Sequence, residues 1–154
     1  MSDHLLIDPV QIIVRGKPQS LARHRHTKRG FNYDPSKKDK HIFLEKAIKS
    51  SLPVTPFTGA ITMVIKFYFD RPKNHYRTGK YKDIIKPSAP HHHTNTPDID
   101  NCIKFVCDAL NGVYYMDDRQ IDHIDAYQNY SNSHQPRTEV YIMEGQKLCK
   151  KCKL

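Results

Sequence analysis

Residues 96–112 read TPDIDNCIKFVCDALNG. Pro97 near the start and Gly112 just past the last apolar residue mark the two ends of a helix. At 100° per residue, Ile99, Ile103, Val106 and Leu110 share one sector and form the expected core stripe. Asp100, Lys104 and Asp108 recur every four residues and form a second stripe on another side. The helix is therefore amphipathic in an unusual way, because its polar face is acidic within a basic chain.

Working outward, the apolar run GAITMVIKFYF at 59–69 predicts a strand ended by Asp70-Arg71-Pro72. PVQIIVR at 9–15 predicts an earlier strand, and 16–34 a basic loop. DPSKKDKHIFLEKAIKSS at 34–51 predicts a first helix, with Asp34 as N-cap and Pro35 opening it. Residues 71–95 predict a long polar, basic loop of the kind that is functional or disordered in small domains. After the acidic helix, a short strand is expected around VYYM (113–116), then strands in QIDHIDAYQNY (120–130) and RTEVYIMEG (137–145). That order predicts a single small α+β domain over 1–145: one mixed β-sheet packed by two main helices. A basic tail follows at 146–154. Apolar residues around VYYM and VYIM are available either to the core or to a contact with a second copy.

The 154 residues carry 25 Lys/Arg against 16 Asp/Glu, for a net charge of +9. Residues 1–97 hold 18 Lys/Arg and 7 Asp/Glu, whereas 98–125 hold 2 and 7. A basic body points to a polyanion, nucleic acid first among them. No run is apolar and long enough to span a bilayer. MSDHLLIDPV lacks the basic-then-apolar pattern of a signal peptide, so a cytoplasmic protein is expected. Without a secretory signal, the four cysteines do not imply a disulfide framework.

Clustered carboxylates repel one another, and a hard divalent cation relieves that repulsion. Mg²⁺ takes oxygen ligands and keeps several waters, so one to three carboxylates suit it. Such an ion polarises a phosphate and activates water for phosphodiester hydrolysis. A neighbouring lysine neutralises charge that develops in the transition state, and a basic surround holds the DNA.

At these residues the chain resembles the RusA-type Holliday junction resolvases. The shared pattern is Pro97-Asp98-Ile99-Asp100-Asn101, Lys104, Asp108-Ala109-Leu110, Gly112 and Asp117-Asp118-Arg119-Gln120. The early segment GKPQSLARHRH and the YDP after it are similar to that family as well. The resemblance implies a RusA-like fold and a homodimeric, Mg²⁺-dependent endonuclease that nicks four-way DNA junctions in pairs, with Mn²⁺ a candidate substitute. It implies Asp98, Asp100 and Asp118 as metal-binding acids and Lys104 as the catalytic lysine. Asp117 matches an acid beside the site and is a further candidate ligand. Asp108 matches the pattern but is read as structural.

Arg23, Arg25, Lys28 and Arg29 are expected to bind DNA phosphates, with Phe31 and Tyr33 beside them. His91, His92 and His93 cannot all face one way in an extended loop, so backbone contact or simple loop composition is expected rather than a metal site. Cys149 and Cys152 resemble half of a zinc site but lack a second pair at finger spacing. The alternatives are a DNA-binding protein of the same fold that does not cut or is not junction-specific, a nucleotide phosphohydrolase, and a zinc-linked adaptor. The charge of residues 1–97 favours a polymer over a mononucleotide.

Overall fold

The computed structural model describes residues 9–22, 25–53 and 55–145, with the backbone only for Arg25 and His26. Its centre is β4, Ile61–Phe69. Ile61, Met63, Ile65, Phe67 and Phe69 point to one face and are buried in the main core. Thr62 and Val64 are buried on the other face, where Met143 and Tyr141 pack against Val64. A strand covered on both faces needs no polar alternation, which explains the unbroken apolar run up to Lys66.

The sheet order is β1 (Val10–Arg15), β6 (Arg137–Glu144), β4, β5 (Ile121–Tyr130). β6 lies antiparallel to both β1 and β4, while β4 and β5 are parallel. Parallel neighbours cannot be joined by a tight turn and need a crossover. Here that crossover contains the acidic helix, α2, Ile99–Leu110. The other main helix, α1, Lys37–Ser50, packs on β1 and on α2, with Phe43 edge-on to Phe105 at 5.6 Å. Both helices contribute to one core with β1, β4 and β6, giving the α+β domain with a mixed sheet that the sequence implies.

Four local expectations are corrected. First, 16–34 is not all loop: β2 (Arg25–His26) and β3 (Asn32–Tyr33) pair as a small hairpin turning at Gly30, whose φ of +80° suits glycine. Second, α1 starts later than Asp34. Asp34 Oδ1 accepts the amide of Ser36 at 2.8 Å, and this local turn delays the helix to Lys37. Third, 113–116 is no strand. Tyr114 and Tyr115 are fully buried there, and the Tyr115 hydroxyl donates to the Cys107 carbonyl at 2.6 Å. Those two rings are spent inside the molecule, whereas Met116 remains 63% exposed. Fourth, the buried face of α2 is Cys102, Phe105, Val106, Ala109 and Leu110, while Ile99 is 38% exposed. A helix wedged between a sheet and a second helix buries a broader, rotated arc than one seam predicts. The tail 146–154, with Cys149 and Cys152, lies outside the described residues. Among the described residues no helix is long and apolar enough to cross a membrane.

Candidate active site

Asp98 is the N-cap residue of α2 and Asp100 lies in its first turn. The turn before them is held from the sheet. Gln128 of β5 donates its Nε2 to the Pro97 carbonyl at 3.0 Å and approaches the Cys102 sulfur at 3.5 Å. Asn95 donates to the Tyr130 hydroxyl at 3.2 Å. The Thr96–Pro97 peptide is cis. Neither Gln128 nor Asn95 stands out in the sequence, because each acts through one side-chain amide with no spacing to mark it.

Lys104 stands one turn beyond Asp100, with its Nζ 3.4 Å from Asp100 Oδ2. Both side chains are more than 60% exposed, so the pair is open to a ligand from solvent. Asp108 faces elsewhere: Lys40 of α1 bridges Asp34 Oδ2 at 2.7 Å and Asp108 Oδ2 at 3.1 Å. Burial works to lower the pKa of Lys40, but hydrogen bonds and charge from the two carboxylates outweigh it and the net shift is upward. Asp108 thus ties the two helices together, in keeping with a structural reading.

Asp117 caps the short 3-10 turn Asp118–Gln120. It accepts the Arg119 amide at 2.9 Å and both arms of the Arg119 guanidinium at 3.1 Å. Those bonds hold its carboxyl well below the usual carboxylate range. Gln120 completes the latch. Its Oε1 accepts the amides of Met116 and Asp117, and its Nε2 donates to the carbonyls of Phe57 and Gly59. Asp117 is therefore occupied in shaping the turn that presents the exposed Asp118.

The acids fall into two groups along α2. Asp98 and Asp100 lie in electrostatic reach of the Cys102 thiol, Asp108 and Asp118 in reach of Cys107. Five residues of helix separate those thiols, about 7.5 Å of rise. Among the described residues no three His, Cys, Asp or Glu side chains converge closely enough to hold a metal ion. The trio Asp98, Asp100 and Asp118 is not brought together within one copy. The donor chemistry of the Asp98–Asp100 pair still fits a hard divalent cation, since it offers only carboxylate oxygens. Burial pushes the Cys102 and Cys107 thiols up to about 11.

Of the expected DNA contacts, Lys28 and Arg29 are exposed at the tip of the β2–β3 hairpin, next to Phe31 at 71% exposure. Arg25 lies in β2 opposite Tyr33. Arg23 and the side chain of Arg25 lie outside the described residues. The histidine run is an edge segment and not a free loop: the His93 amide donates to Gln128, and the Tyr130 amide to His91. His93 is buried and stacked on Phe69 at 3.9 Å, which serves packing.

A small α+β body with carboxylates and a lysine exposed on a crossover helix belongs to a recognisable class of protein. The family model for endodeoxyribonuclease RusA matches residues 15–143, and the chain belongs to that family of DNA endonucleases. It is also similar to the uncharacterized protein YqaN of Bacillus subtilis (strain 168). The two are 32% identical over 148 residues, covering 90% of this chain and 98% of the relative.

Proposed function

We propose that this chain resolves four-way DNA junctions by divalent-cation-dependent phosphodiester hydrolysis, with Mg²⁺ the expected ion and Mn²⁺ a candidate substitute. The observation that carries the reading is the exposed Asp98–Asp100 pair with Lys104 one turn on, set in an otherwise basic chain. Asp98 and Asp100 would hold the cation, which neutralises phosphate charge and lowers the barrier to attack by water. Lys104 directs its ammonium at the phosphate oxygens, where negative charge grows in the transition state. Gln128 fixes the approach of the Asp98 turn through the Pro97 carbonyl. Asp117 acts by positioning, because Arg119 already occupies its oxygens. Lys28 and Arg29, with Arg23 and Arg25, bind the DNA backbone.

Asp118 stands apart from the Asp98–Asp100 pair in one copy, so it serves best across a two-fold axis. A homodimer gives each site its third carboxylate and matches the two scissions that a near-symmetric junction needs. Sedimentation showing a monomer at micromolar concentration, while junctions are still cut by paired nicks, would overturn this part.

The deciding experiment is cleavage of a synthetic four-way junction beside a linear duplex of the same sequence, with and without Mg²⁺. Paired nicks in the junction alone, only with the ion, are expected. Binding without cleavage would instead make the chain a non-cutting DNA-binding protein of the same fold.

A further inference from the structure

Residues 71–90 leave the end of β4 and return to the edge of β5 through the histidine run. They hold six Lys/Arg and one acid, Asp83. The segment is built as a hairpin. Tyr76 and Ile85 form an antiparallel bridge, the Arg77 amide donates to Ile84, and the Lys86 amide donates to His75. Gly79, at φ +65°, turns the tip. Its base is anchored twice. Tyr76 is buried, stacked on His134 at 5.2 Å. Arg71 donates to the Pro90 carbonyl at 2.7 Å and to Asn132, with its guanidinium 5.4 Å from the Tyr130 ring.

This fixed frame carries cations left without acidic partners. Lys73, Arg77, Lys80 and Lys82 are exposed, and none joins an ion pair among the described residues. Tyr81 is 47% exposed near the tip, with Lys80 Nζ 5.0 Å from its ring. A charge run kept only for solubility needs no such scaffold. The hairpin also sits at the same end of the sheet as the acidic pair: Tyr130 meets Arg71 at the hairpin base and Asn95 just ahead of Asp98.

We propose that the 76–85 hairpin is a second DNA contact, gripping the phosphate backbone of a duplex arm whose scissile phosphate lies at Asp98 and Asp100. The inference rests on the endonuclease reading for the identity of the polyanion. Phosphate neutralisation by lysines releases counterions and makes binding fall steeply with salt.

The test measures metal-free affinity for the four-way junction across a salt series, for the wild type, for Lys80→Ala with Lys82→Ala, and for Lys38→Ala with Lys49→Ala. The last pair removes the same charge from exposed positions on α1. The hairpin variant should flatten the slope of log K against log salt by roughly 1.8 units, about 0.9 per lost phosphate contact. The α1 variant should keep the wild-type slope. An unchanged slope in the hairpin variant, or equal flattening in the α1 variant, overturns the proposal. Because the readout needs no metal, a wild type that binds but does not cut sinks the nuclease reading and leaves the hairpin to be decided by its slope. A wild type that binds no DNA overturns both.

Discussion

Asp100→Asn keeps the side-chain shape and removes one negative charge from an exposed pair. Its ion pair with Lys104 is solvent-facing, so folding stability should move by no more than about 0.5 kcal/mol. The unfolding midpoint therefore serves as an internal check. With less charge at the cation site, single-turnover cleavage should fall by at least about 100-fold, the scale seen when one transition-state stabiliser is lost. Metal-free DNA binding should move the other way. A carboxylate about 6 Å from a phosphate in bulk water costs about 0.7 kcal/mol, so its removal should tighten binding by about threefold. Asp108→Asn on the same stripe is the control. It loses one ligand of Lys40, which keeps Asp34 at 2.7 Å, so cleavage should stay within about threefold and stability should drop by about 1 kcal/mol at most. Single-turnover cleavage and gel-shift affinity on all three proteins decide. Near wild-type cutting by Asp100→Asn, or loss of DNA binding along with cutting, would refute the carboxylate–cation reasoning.

Lys104→Ala should abolish cleavage but leave calorimetric Mg²⁺ binding largely intact, since an ammonium is no ligand; lost metal binding would contradict its assigned role. Gln128→Ala removes the hold on the Pro97 carbonyl, at about 1 kcal/mol of stability. Cleavage should fall further, by about 10- to 100-fold, because a misplaced reacting group is costly; a loss no larger than the stability change implies would make Gln128 purely structural. Burial pushes His93 below the ordinary histidine value, so the unfolded chain binds more protons as pH falls. The resulting stability is full above about pH 6.5 and declines below it. Urea unfolding at pH 7.5 and 5.5 should show that decline, and His93→Phe should lessen it; an unchanged pH dependence would mean that His93 does not contribute.

The elements legible in the sequence are those with strong local signals. β4 reads as a continuous apolar run and α2 as a helix between Pro97 and Gly112, and with β5 and β6 they define the mixed sheet. The adjacency of Asp100 and Lys104 is legible too, because the two share a face by spacing alone. What was not legible depends on distant partners. Tyr114 and Tyr115 look like a strand until the chain folds their rings into the core. Ile99 looks buried until α2 is wedged against α1 and its apolar arc rotates. The histidines look like a loop until β5 supplies the backbone that pairs with them. The separation of Asp118 from Asp98 and Asp100 was equally hidden, since sequence proximity says nothing about which end of a helix a returning chain reaches.

The crossover through α2 has a consequence for how the molecule comes to exist. β4 and β5 pair from Ile61 with Ile121 to Phe69 with Tyr130, with a register shift after Ile61, and the partners lie some 60 residues apart in the chain. Closing so long a connection costs entropy before any contact repays it, and non-local pairings of this kind slow folding. Gln128 reaches Pro97 only after that closure, so the proposed site at the start of α2 takes shape with this long-range pairing. A nascent or half-folded chain would carry the basic segments proposed to bind DNA without the organised carboxylates proposed to cut it.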